Sequence, residues 1–263
     1  MGLLSAKVAI VTGAANEIAQ GIALRFCREG AIVIVVDPDS AQAEALASRI
    51  GVAGGEARAY GADLGQPGEA ERLAGDIVTF QGGIDILVNA SHPPLRWDRL
   101  DHDPLHRFRS AFEATVAPAV AAMAAVRPHM VRRGGGRIIN VGSVYGASAN
   151  EGVADAVTMD GALAALSRAA GVEWARDNVL INFLQGAVPD TAMFAAYRAE
   201  KGVIVDHLIE IMPMRRLAVP IEDIGGAALL LASDEGCFLV GQKVYADGGQ
   251  HLVAAVFEPG ATR

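Results

Sequence analysis

Lys7-Val8-Ala9-Ile10-Val11-Thr12-Gly13-Ala14-Ala15, near the start of a 263-residue chain, decides the fold. An unbroken apolar run, Val8 to Val11, leads through Thr12 into a glycine, and the segment after it, Ile18 to Glu29, carries apolar residues at helical spacing. Such a run is a strand buried on both faces, and the glycine marks the turn into a helix. The alternation then repeats. Lys7 to Thr12, Ala31 to Val36, Ile84 to Asn89, Gly136 to Val141, Leu180 to Leu184 and Gln242 to Tyr245 read as buried strands. Ile18 to Glu29, Ser40 to Ile50, Pro67 to Phe80, Leu105 to Arg132, Ala154 to Ala175 and Ile221 to Ala232 read as helices. Strands alternating with helices predict an α/β fold with a doubly wound parallel sheet in three αβα layers. Right-handed crossovers then place the ligand crevice at the C-terminal ends of the strands. No linker, repeat or charge block divides residues 1–263, so a single domain is expected. The stretch 190–217, rich in Met and aromatics, reads either as a helical flap over the crevice or as extra core helices.

Hydrophobic residues make up 52% of the chain and charged residues 20%, which excludes a disordered polypeptide. With 22 basic against 30 acidic residues, the formal charge of -8 has the wrong sign for a phosphate-backbone partner, so nucleic acid is excluded. Cys27 and Cys237 are far apart and no signal peptide precedes them, which points to a reducing cytoplasm and thiols that pack rather than react. The longest purely aliphatic stretch, Ala31 to Val36, has a strand's length, and Ala6 spoils a myristoylation pattern, so no membrane is expected. His102 and His106 have ligand-like spacing, but nothing nearby completes a metal shell. They read as a solvated helix start marked by Asp103-Pro104, and no metal is expected.

Val8 to Ala15, Asp37 at the end of the second strand, Ala62-Asp63-Leu64, Asp85 to Asn89, Gly136 to Asn140, Asp190-Thr191, Glu222 to Ile224, Gly241-Gln242 and Asp247-Gly248-Gly249 stand in order along the chain. In this order and spacing they resemble the short-chain dehydrogenase/reductase family, over nearly the whole length. The resemblance implies a Rossmann-like fold and a nicotinamide cofactor. It assigns cofactor contacts to Gly13, Glu17, Asp37, Asp63, Leu64, Asn89 and Thr191. The family turn reads Thr-Gly-x-x-x-Gly-x-Gly, its glycines admitting the pyrophosphate to a helix N-terminus. Only Gly13 survives here, with Glu17 and Ala19 at the other two positions. A carboxylate about 5 Å from a phosphate, at an effective dielectric of roughly 20, costs about 3 kcal/mol, near a hundredfold in affinity. The alternative places Glu17 in solvent on the first helical turn, where acidic residues are favourable. Asp37 favours NAD through the ribose 2′-hydroxyl, and Asp63 matches the aspartate beside the adenine, although either carboxylate can instead cap the next turn. His92 replaces a family glycine, as an acid/base group or a structural histidine.

The family's chemistry uses a serine, a tyrosine, a lysine four residues later and an asparagine. Ser143 supplies the serine. The tyrosine belongs thirteen positions on, where Ala156 stands, and Asp160 takes the lysine's place. The register is fixed on both sides, by Gly136 to Ser143 and by Gly161-Ala162-Leu163 with Val172 to Ala175. The only lysines are Lys7, Lys201 and Lys243, so no Tyr-x-x-x-Lys pair exists, and Thr115 replaces the asparagine. Loss of a positioned proton donor costs about 10² to 10⁴ in rate, and a carboxylate raises rather than lowers a neighbouring pKa. Tyr145, with His92, Asp155 and Asp160 as relay groups, reads either as a rewired acid/base site or, for the tyrosine, as a packed side chain on a strand-end loop.

The resemblance also implies dimers or tetramers formed through the two long helices around the serine strand and through the last strand. Ala114 to Ala125 and Ala154 to Ala170 are dense in small residues. The expectation is therefore a non-catalytic subunit, in a homo- or hetero-oligomer with family members, that assembles with an active dehydrogenase such as a hydroxyacyl-CoA enzyme. No cofactor is firmly expected, and any NAD binds weakly. The alternative is an NAD-dependent oxidoreductase with a rewired site. Arginines at 132, 133, 137, 215 and 216 raise the further option of an anionic ligand such as an acyl-CoA.

Overall fold

A computed structural model describes residues 2–92, 98–142, 144–147, 151–191, 194–195, 199, 202, 206–207 and 209–253. Strands β1 (Val8–Thr12), β2 (Ile32–Asp37), β3 (Glu56–Gly61), β4 (Ile86–Asn89), β5 (Gly136–Gly142), β6 (Val179–Gly186) and β7 (Lys243–Ala246) form one sheet in the order β3-β2-β1-β4-β5-β6-β7. All six pairings are parallel. Helices α1 (Glu17–Arg28), α2 (Ser40–Val52), α3 (Glu69–Gln81), α4 (Pro104–Arg132), α5 (Ala154–Trp174) and α6 (Gly225–Ala232) make the crossovers. This is the doubly wound, Rossmann-like αβα sandwich expected.

Alternate residues of β1 feed the two halves of the core. Ala9 and Val11 join Ile22 and Phe26 of α1 with Leu229 of α6 on one face. Val8 and Ile10 join Leu73 and Ile77 of α3 with Met123 and Met130 of α4 on the other. Burial on both faces explains why the central strands read as unbroken apolar runs. The edge strand β3 was not expected from the sequence. Its residues Glu-Ala-Arg-Ala-Tyr-Gly alternate between exposed and half-buried positions, and only one flank pairs, so the aliphatic signal is missing.

Helix α4, 29 residues long, is apolar and long enough to cross a membrane by length and composition, with 44% of its most apolar window buried in the protein. It starts at Pro104, as Asp103-Pro104 implied, with Asp103 in the left-handed region as its N-cap. The flap expected at 190–217 lies partly outside the described residues, and among those described Met212 and Leu217 pack with Phe194, Ile209 and Ile211. Its described ends meet at the sheet rim, where the Asp190 N–H donates to the Ala218 carbonyl at 2.7 Å.

Candidate functional site

The strand order reverses between β1 and β4, and a cleft of about 730 Å³ opens over the C-terminal ends of β1, β2 and β4. Ligand crevices form at this point of an open α/β sheet because neighbouring crossovers leave on opposite faces. The turn after β1 forms one wall. Gly13 has φ +82°, and a Cβ there would lie 2.6 Å from the Ala90 carbonyl oxygen, so only glycine fits. Asn16 caps α1: its Oδ1 accepts the Ile18 N–H at 2.9 Å, while its Nδ2 donates to the Ala90 carbonyl at 3.1 Å. Gln20 Nε2 donates to the Ala14 carbonyl at 2.8 Å. Glu17 opens the helix, half-buried in its first turn, where the helix dipole favours an acid. An amide that a phosphate would use is thus already occupied by the chain's own carboxamide, next to a carboxylate.

At the far end of the cleft, buried Asp37 accepts the Ala15 N–H (3.2 Å) and the Asp39 N–H (3.0 Å), one on each oxygen. Each oxygen keeps a second lone pair for a ligand hydroxyl. Exposed Asp63 also caps its turn, accepting the Gly65 N–H and Gln66 Nε2, both at 3.0 Å, beside buried Leu64. Both carboxylates therefore cap their turns and line the cleft together. Glu113 of α4 is a third acid on the wall, and no lysine or arginine lies among the described lining residues.

Asn89 closes the floor through a buried relay the sequence reading did not assign. Its Nδ2 donates to Asn140 Oδ1 (2.8 Å), Asn140 Nδ2 donates to Ser167 Oγ (2.9 Å), and Ser167 donates to the Leu163 carbonyl (2.8 Å). His92 Nε2 donates to the Val141 carbonyl at 2.7 Å, which carries the imidazole from the end of β4 to the end of β5. The contact fixes the Nε2–H tautomer, because a carbonyl can only accept.

The catalytic positions expected from the sequence separate. Thr115 is buried and lines the cleft. Ser143 lies outside the described residues. Tyr145, in the short turn Val144–Ala147, packs on the apolar cluster of Val188, Met212 and Leu217. Ala156 stands in the first turn of α5, and Asp160, one turn on, is 2% exposed. Asp160 Oδ2 accepts from Gln185 Nε2 at 3.4 Å, and a Cβ on Gly146 would overlap its carboxylate. Neither Ala156 nor Asp160 is among the described lining residues of the cleft. The fully buried Phe183 presses its ring against Gly142 and joins Met159, Leu163 and Val116, so apolar packing fills the region beside the end of β5. Thr191 is not among the described lining residues of the cleft either. Its Oγ1 accepts the Phe194 N–H at 3.3 Å.

Arg107 laces two loops at this end. Its Nη1 donates to the carbonyls of Asp98 (2.7 Å) and Arg99 (3.0 Å), and its Nη2 to the Gly152 carbonyl (3.4 Å) and to Asp155 Oδ1 (3.1 Å). His102 Nδ1 lies 2.7 Å from Asp98 Oδ1, a contact that holds the Asp98 carboxyl below the usual range. His106 lies 3.9 Å from Asp103, and both histidines are exposed. Of the arginines considered for an anionic ligand, Arg133 pairs with Asp85, Arg137 with Asp234 and Arg216 with Asp223, all away from the cleft.

A model of the enoyl-(acyl carrier protein) reductase group matches residues 13–251. The chain belongs to the short-chain dehydrogenase/reductase family. An uncharacterized oxidoreductase of Mycobacterium tuberculosis is 33% identical over 248 residues, 94% of this chain and 92% of the relative. The crystal structure of a Burkholderia xenovorans chain assigned to the short-chain dehydrogenase/reductases superposes with a TM-score of 0.87 at 30% identity, covering 96% of this chain and 99% of that one. A Beutenbergia cavernae structure described as an NAD(P)-dependent gluconate 5-dehydrogenase with bound NADP gives 0.84 at 29%, covering 95% and 98%. The described residues thus carry the short-chain dehydrogenase/reductase scaffold.

Proposed function

We propose that this chain is a non-catalytic short-chain dehydrogenase/reductase subunit that assembles with an active dehydrogenase subunit of the same family. The observation that carries this reading is Asp160, at the lysine position, buried beneath Gly146 and against Gln185, with Ala156 at the tyrosine position. Hydride transfer to a carbonyl needs a proton delivered to the oxygen, and a methyl group cannot deliver one. The residues present fit only part of a nicotinamide dinucleotide. Asp37 suits a ribose diol, but the Asn16 cap takes an amide where the diphosphate belongs, Glu17 follows it in the first helical turn, and no cation lines the described cleft. Gly161, Ala165, Ala169 and Val172 stand exposed on α5, with Val120 and Ala124 on α4, which supports close helix approach by another subunit.

A second reading, an NAD-dependent oxidoreductase with rewired acid/base groups, is favoured by the comparisons, since the relatives are named oxidoreductases and one structural neighbour holds NADP. One experiment separates the two. The chain is purified alone and after co-expression with family dehydrogenases encoded beside it, and each preparation is weighed and assayed for NAD(H)-dependent turnover. The expected result is no turnover alone and a complex of fixed stoichiometry with an active subunit. Steady-state turnover by the isolated chain that falls on Tyr145→Phe establishes the second reading. A homo-oligomer that ignores every candidate partner overturns the first.

A further inference from the structure

We infer that the cleft binds an uncharged nucleoside in preference to any phosphorylated nucleotide, an inference that rests on the reading that this chain does not use a dinucleotide. Three features of the site point the same way. The carboxylate of Asp37 is held in place by two protein amides, and its remaining lone pairs face a cleft large enough for a nucleoside. Vicinal hydroxyls of a ribose are the donors that such a carboxylate takes. The other acids on the wall, Asp63 and Glu113, also accept and cannot donate when ionised. A ligand rich in O–H and N–H groups satisfies this lining, and an anionic one does not.

The usual anchor for phosphate is weakened. Helix N-termini hold phosphates through free amides and a positive dipole end. Here the Ile18 amide is taken by Asn16, whose carboxamide is itself tied to the Ala90 carbonyl, so releasing it breaks two hydrogen bonds. Glu17, in the first turn of the same helix though not among the described lining residues, adds an acidic group beside the dipole's positive end. With no lysine or arginine among the described lining residues, nothing there compensates a phosphate. His92, tethered across to Val141, stands further along the cleft, where a second nucleotide half would pass. At separations of about 5–6 Å and intermediate dielectric, each phosphate charge weakens binding by roughly tenfold or more.

Calorimetric titration with adenosine, AMP, ADP and NAD, at low and at high salt, tests this directly. Adenosine is expected to bind, AMP at least about tenfold more weakly and ADP and NAD more weakly still, with the gap narrowing at high salt as the charges are screened. Glu17→Gln should bring AMP several-fold closer to adenosine without moving adenosine, and Asp37→Asn should weaken adenosine. ADP or NAD binding as tightly as adenosine overturns the inference, as does a Glu17→Gln variant with an unchanged adenosine-to-AMP ratio. Silence toward all four ligands also overturns it and leaves the non-catalytic reading standing. Tight NAD binding together with turnover by the isolated chain overturns both.

Discussion

Replacing Asn140 tests whether the floor of the cleft depends on the relay beneath it. Asn140 is fully buried, accepts from Asn89 and donates to Ser167. Asn140→Ala leaves the Asn89 amide as a buried donor without a partner, which costs about 1–3 kcal/mol, and a void adds roughly 1 kcal/mol. A total near 2–4 kcal/mol in a domain of this size lowers the melting temperature by roughly 5–15 °C. Asn140→Asp keeps the acceptor but buries a carboxyl, so desolvation raises its folded pKa above the unfolded value. The sign is then set by linkage. That variant retains its stability below the unfolded carboxyl pKa, about 4, and loses it as the pH rises through the raised folded value. Thermal melts followed by circular dichroism at pH 5 and pH 8 should show the aspartate variant weaker at pH 8. A melting point for Asn140→Ala within 2 °C of the parent, or an aspartate variant with no extra pH dependence, would refute the relay as a structural element.

Arg107→Ala cuts the four contacts that join the 98–103 and 151–155 loops, so amide exchange in both segments should accelerate about tenfold or more; unchanged protection argues against the lacing. His92→Gly removes the donor from the Val141 carbonyl, at a cost of about 1 kcal/mol, and should lower the melting temperature by a few degrees; an identical melt argues against the tether. Hydrogen bonding from Arg216 holds the Asp223 carboxyl below its usual range, so the stability this group provides is present at neutral pH and fades as the pH falls through that lowered value. Arg216→Ala should move that loss to higher pH, measured by melts between pH 2 and 7; an unshifted acid limb rules the pairing out as a contributor.

Strands β1, β2, β4, β5 and β6 were legible because strands buried on both faces carry long apolar stretches, whereas β7, expected to be buried, is an edge strand that is only partly so. Strand β3 was not legible, since an edge strand half in water carries only a weak alternation. That Ala156 and Asp160 stand where the family resemblance puts a tyrosine and a lysine was legible once that resemblance set the register. The direction Asp160 takes, under Gly146 toward Gln185, was not, because side-chain packing between α5, β6 and the turn after β5 has no counterpart in local sequence. Asp37 and Asp63 left two readings open, and the geometry joins them: each caps its turn and still faces the cleft. Phe183 lay inside a predicted strand, where its reach to Gly142 could not be read. Gln185 and Arg107 drew no attention, since the contacts that matter link residues 25 and 48 positions apart.

The turn after β1 keeps its shape by its own means, with Asn16, Gln20 and Asp37 each satisfying main-chain groups that a visitor would otherwise have to organise. Main-chain groups already satisfied within the chain leave a ligand little backbone to order. In the proposed assembly, contact with a sister subunit then does not wait on a ligand to shape this turn.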